Sequence, residues 1–249
     1  MPFTGFSFPN PKGGGNYIRV EPAISLSNQK YTVVGPLFSV LAERRSNIDP
    51  MITITSGSKS ISFSPVLIQW RLADLSTSSI SNALTKQASV KPNTQDILSY
   101  SSSKTKGVTW KNILGKGVDI GLVADSETVR KVVKIDELSD LGTIPRTASF
   151  LEIVFKIATT ETIGSWDKST TTTFNSPLSI GSGDIEAIGS VHVWDSTNVS
   201  TDIDGELSES GGELFLTKKI PVAFLNAATF PVYSDVDFVF QNGKAVVAA

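Results

Sequence analysis

The feature that most limits what this chain can fold into is a hydrophobic alternation of period two. Val232, Ser234, Val236, Phe238 and Phe240 alternate with Tyr233, Asp235, Asp237, Val239 and Gln241. The same rhythm sets Leu151, Ile153, Phe155 and Ile157 against Glu152, Val154, Lys156 and Ala158. Val66, Ile68, Trp70 and Leu72 form another such row, as do Val118, Ile120 and Leu122, and the pair Ile52 and Ile54. Successive side chains of an extended strand point to opposite faces, so segments of this kind bury one face and wet the other. Tyr31–Val40, Thr128–Ile135, Ile185–Trp194 and Leu214–Leu225 read as further strands, with Gly, Pro, Ser, Asn and Asp gathered between them as turns require. The expectation is an all-β, antiparallel, jelly-roll-like β-sandwich of about eight to ten strands.

Helical signal is confined to connections, where one or two short helices are expected. Ser76–Ala88 opens with serines and sets Ile80, Leu84 and Ala88 on one helical face. Trp110–Leu114 has the length of one turn, stopped by Gly115. Residues 1–20 read as an N-terminal arm, flexible or extended, because Pro2, Pro9, Pro11 and Gly13–Gly15 punctuate it. Residues 21–249 read as a single sandwich domain.

Composition narrows the chemistry. With 249 residues, 40% of them hydrophobic, the chain can bury a core without covalent staples. It has no cysteine, which removes disulfides, thiolate catalysis and cysteine metal sites. The start of the chain lacks the charged and apolar runs of a secretion signal. No stretch has the apolar length of a membrane-spanning helix, so no membrane partner is expected. Neither a P-loop nor a dinucleotide-binding glycine pattern is present, and no cofactor is expected.

The single histidine, His192, shares a strand face with Glu186, Ile188, Ser190 and Trp194. A hydrolytic triad would have to use it, yet no Gly-x-Ser-x-Gly elbow supplies a nucleophile. It reads as a half-buried strand residue, and the chain reads as a non-enzyme with no catalytic residues. From Asp202, oxygen-bearing side chains fall at positions 1, 3, 5, 9 and 12 of the run through Asp204, Glu206, Ser210 and Glu213, with Ser208 at position 7. That is the ligand spacing of a helix-loop-helix calcium site. However, Leu207 stands where that loop needs its glycine, and a solvated acidic hairpin without metal is the favoured reading.

Net charge is −2, so affinity for nucleic acid would need a local cationic patch. No lysine or arginine occurs from Ser169 to Thr217, a stretch rich in Asp and Glu. Conversely, Lys104, Lys106, Lys111 and Lys116 fall in a segment without acids, with Trp110 among them. Two solvated loops come first among the readings. A contact between this basic loop and the acidic stretch of another copy comes second. Single-stranded nucleic acid, held by phosphate contacts and stacking, comes third.

With its arm Met1–Asn16, its strands from Tyr31 to Phe240, its serine- and threonine-rich connection Ala73–Lys116 and its apolar tail Ala245–Ala249, the chain resembles viral jelly-roll capsid proteins. The resemblance implies a coat subunit that assembles with itself or with other capsid subunits, located in the virion and, before assembly, in host cytoplasm. Many such proteins carry a basic arm for the genome, whereas this arm carries only Lys12, with Arg19 beyond it. Plant-virus movement proteins, which handle nucleic acid, resemble a modified jelly roll too, with Asp74 and Asp140 as available aspartates. A carbohydrate-binding or adhesive sandwich is a further alternative, with Trp166, Trp194 and Tyr233 as stacking candidates.

Overall fold

The computed structural model describes residues 8–9, 17–18, 23–34, 38–91, 107–124, 128–159, 161–163, 166, 170–176, 178–179 and 185–240. In chain order the strands are β1 (Phe8–Pro9), β2 (Tyr17–Ile18), β3 (Ala23–Ser27), β4 (Lys30–Val34), β5 (Ser39–Glu43), β6 (Ile52–Ser56), β7 (Lys59–Leu72) and β8 (Thr77–Asn82). They continue with β9 (Ser89–Lys91), β10 (Gly107–Trp110), β11 (Val118–Ala124), β12 (Thr128–Ile135), β13 (Ala148–Thr159) and β14 (Thr172–Phe174). The last are β15 (Leu178–Ser179), β16 (Ile185–Asp195), β17 (Ser200–Ile203), β18 (Gly205–Ser210), β19 (Glu213–Pro221) and β20 (Val232–Phe240).

These strands form two antiparallel sheets and a two-strand ribbon, β1–β2. The first sheet runs β14-β18-β19-β13-β7-β6-β5-β4-β3, with β8 added on β7. The second runs β15-β16-β20-β12-β11-β10-β9, with β17 added on β16. The fold is therefore the antiparallel β-sandwich that the alternation implies. One cluster of buried apolar residues reaches from Tyr31 to Val236 and joins the inner faces of both sheets.

Parity decides which side chains enter that cluster. On β13 the odd residues Leu151, Ile153, Phe155 and Ile157 are buried in it, and on β12 so are Val129, Val133 and Ile135. Cross-strand register keeps the parity: Ile153 pairs with Ile68, and Val133 with Ile120 and Ser234. Bulges in the β13–β7 pair, between Val154 and Phe155 for example, bend these long central strands.

Helices are few among the described residues. They are a 3-10 turn, Leu138–Leu141, and one α-helix, α1 (Val222–Ala227). Three local expectations are corrected. Ser76–Ala88 is not helical: Thr77–Asn82 is β8, paired with Leu67–Arg71 of β7. The Ser/Thr side chains that mimic a helix start instead suit an edge strand, and Asp74 accepts hydrogen bonds from the Ser76 N–H (3.0 Å) and hydroxyl (2.6 Å) in the turn that leads into it. Leu214–Leu225 is strand only to Pro221, an extended N-cap (φ −61°, ψ 135°) after which α1 begins; lacking an N–H, it cannot donate to a continuing strand ladder. Trp110 ends β10, and the residues after it form hydrogen-bonded turns, not a helix.

Candidate functional site

The lysine-rich segment is divided by the fold. Lys104 and Lys106 lie outside the described residues. Trp110 is fully buried, and its indole N–H donates to the Glu43 carbonyl (3.2 Å), so its ring is core and offers no stacking face. Lys111 is exposed. Lys116 reaches the Asp140 carboxylate at 3.2 Å, which neutralises it in part.

The turn carrying these two lysines is tightly determined. The Asn112 backbone N–H donates to Asp119 (2.7 Å), and the Gly117 N–H donates to the Asn112 side chain (2.7 Å). Gly117 has φ +69°, and a Cβ there would collide with the Asp140 carboxylate. Burial pushes the Asp119 carboxyl up, against the lowering effect of the Asn112 N–H.

The acidic run does not converge on a point. Asp202 ends on β17, whereas Glu206, Ser208 and Ser210 alternate along β18 and Glu213 begins β19. Alternate strand residues are spread along an edge, so oxygen atoms at helix-loop-helix spacing do not surround a cation here. Glu206 pairs with Lys219 (3.1 Å), and Glu213 shares Lys156 with Asp49 (2.6 and 2.8 Å). Among the described residues no group of three or more His, Asp or Glu is placed to hold a metal ion.

His192 stands on the outer face of the second sheet. Its Nδ1 lies 2.8 Å from Asp202 on β17, and Asp235 is its cross-strand neighbour on β20. Beside it, Trp194 stacks on Tyr233 with ring centroids 5.5 Å apart, and both rings are buried with Val123 and Val132. Trp166 is partly buried and donates to the Thr170 carbonyl (2.9 Å). None of the three aromatic residues named for glycan stacking stands exposed.

Two features escaped the sequence reading. The first is the end of the first sheet. Among the described residues β3 is its last strand, and Ala23–Ser27 contains neither a charged residue nor a proline. Ile24 and Leu26 pair with the buried Val33 and Tyr31 and so face the core side. Ile24 packs against the core, yet Leu26 is 53% exposed. Val34 of β4, on the opposite face, is 58% exposed.

The second feature is a pair of lysines in the layer between the sheets. Lys131 of β12 and Lys218 of β19 are both 0% exposed. Lys218 crosses from the first sheet to the second and donates to the Ser234 carbonyl (2.9 Å), with the Lys131 carbonyl at 3.5 Å. Lys131 crosses the other way, and its Nζ stands 3.4 Å from the centroid of Phe155 and 4.7 Å from that of Phe63. It has no hydrogen-bond partner among the described residues. Burial, together with the positive charge of Lys218, drives the Lys131 amine well below the usual lysine range. The signal was present in the sequence: Lys131 shares the parity of Val129, Val133 and Ile135, and Lys218 that of Leu216 and Ile220.

No known protein family matches this chain, and no curated protein or solved structure similar to it was found. The functional reading therefore rests on the geometry above.

Proposed function

We propose that this chain is a structural subunit of a protein shell, a viral coat subunit that assembles with copies of itself or with partner subunits. The observation that carries this reading is the β3 edge. A terminal strand presents a row of backbone N–H and C=O groups, and soluble proteins usually blunt it with charge, proline or a very short length. β3 has five residues and neither of the first two devices within it. Its core-facing apolar row runs past the cover of the second sheet at Leu26, which leaves apolar surface for another macromolecule to bury. A strand added there by a neighbouring subunit would satisfy the backbone groups and cover Leu26 together.

The test is the size of the purified protein by negative-stain microscopy and light scattering. Particles or oligomers are expected, and Leu26→Lys should shift them to monomer while the β-sheet circular dichroism is retained. The absence of cysteine permits a direct map of the contact. Ser25→Cys should form intermolecular disulfides either with itself, if two β3 edges meet, or with Thr173→Cys on β14, if copies add head to tail. A protein that stays monomeric at high concentration across pH and calcium conditions overturns the proposal.

A further inference from the structure

The lysines between the sheets support an inference independent of assembly. Two amines occupy one apolar layer, and three carboxylates carried by the adjacent strands are turned out of it. Glu152, Asp119 and Asp235 have the parity opposite to Phe155, Ile120 and Ser234, so all three face away. The groups that do face Lys131 can be named strand by strand. β7 offers Phe63, β13 offers Phe155, and β11 offers Leu122. β19 brings Lys218, and β20 brings Val236 and the Ser234 hydroxyl, which is itself buried without a partner among the described residues. At the rim of the first sheet, Lys59 lies 3.9 Å from Glu161, within ion-pair range but too far for a hydrogen bond.

Lys218 has carbonyl acceptors. Among the described residues the Lys131 amine has ring faces but no hydrogen-bond acceptor. Ring quadrupoles stabilise a desolvated ammonium, but by less than it costs to take an ion into the interior even after relaxation. Burial therefore favours the neutral form of the Lys131 amine in the closed layer.

We propose that Lys131 and Lys218 make the closure of the two sheets proton-gated: the layer stays shut while Lys131 is neutral, and acidification drives the sheets apart around β12 and β19. The sign follows from linkage. With its folded pKa below the ordinary 10.5, Lys131 binds a proton in the open or unfolded chain that the closed state lacks. Stability then rises with pH from the lowered folded value up to about 10.5, and falls as pH drops through that window. One such proton changes the closing equilibrium roughly tenfold per pH unit.

The experiment compares the full chain with Lys131→Met, which keeps an unbranched side chain of similar length, between about pH 6 and about pH 9, a range that lies below the lysine reference value. Unfolding midpoints and amide hydrogen exchange of β12 and β19 are the readouts. The expected result is an equilibrium constant for the unmodified chain that gains roughly tenfold per pH unit relative to the variant. Faster exchange on acidification should be confined to the chain that retains Lys131. Lys218→Met provides the second variant: it removes the neighbouring charge, so the lower edge of the window should rise while its upper edge stays near 10.5. Equal pH slopes in the unmodified chain and Lys131→Met overturn the proposal, as does β12 and β19 exchange that is indifferent to Lys131.

Discussion

Two regions of this molecule bury charge in opposite ways. On the outer face of the first sheet, Glu152 is 0% exposed and fully engaged: it accepts hydrogen bonds from Gln69 (2.8 Å) and from Arg71 (2.7 Å). In the layer between the sheets Lys131 is equally buried, but its amine stands over phenylalanine rings with no hydrogen-bond partner among the described residues. The difference teaches that burial by itself does not say whether a charged residue supports the fold. A buried ion whose partners replace its water is held, whereas one without partners sheds its charge and ties stability to pH.

The largest effect should come from removing the partnered charge. Glu152→Ala leaves Arg71 without its carboxylate, and a loss of about 3–5 kcal/mol in chemical denaturation is expected. A loss below about 1 kcal/mol, the scale of an exposed pair, would break the contrast. The unpartnered charge should respond with the other sign. Near neutral pH, Lys131→Met is expected to stabilise the protein by about 1–4 kcal/mol in the same assay. Destabilisation instead would mean that the contacts of the amine with Phe155 and Phe63 outweigh its desolvation.

Asp195 sharpens the comparison at intermediate size. It accepts from the Thr197 N–H and hydroxyl, the Val199 N–H and the Thr229 N–H, at 2.8–3.0 Å. Burial raises its pKa, but these donors outweigh that and leave it below the ordinary aspartate value. Its contribution is present above that ordinary value and is lost as pH falls through the lowered one. Asp195→Ala should cost about 2 kcal/mol near neutral pH, and the difference from the unmodified protein should shrink in strong acid. The smallest effect is expected at Lys156, which bridges Asp49 and Glu213 at the surface. Hydrogen bonds to these two carboxylates raise its pKa, so its contribution fades only in strong alkali. Thermal unfolding of Lys156→Ala should differ little from that of the unmodified chain.

Much of the architecture was legible in the alternation. β7, β11, β13 and β20 fall where period two marks them, because burial on one face imposes that period on the residues themselves. The edge strands were less legible. β8 is built from Ser and Thr and carries no apolar alternation strong enough to mark it, so a helical spacing of Ile80, Leu84 and Ala88 reads just as well. Trp110 among lysines reads as a surface aromatic, yet its indole N–H finds a carbonyl 67 residues away and the ring is core. The calcium-like spacing from Asp202 to Glu213 dissolves for a similar reason: an ordered series along a strand and one around a loop give the same spacing in sequence and different places in space.

Within an unbroken stretch of strand the sequence by itself determined which residues share a face, since parity along an extended chain is a local property; a bulge shifts it, so that Ile188 lies in the core with Val191 and not on the outer face with His192 and Trp194. The sequence put Lys131 with Val129 and Val133, and Lys218 with Leu216 and Ile220. Only the tertiary structure decided that these two faces meet. Lys218 and the Lys131 carbonyl are 87 residues apart and belong to different sheets. Their encounter depends on how β12 and β19 stack across the sandwich, which is set by the packing of both sheets together and by no neighbouring residue.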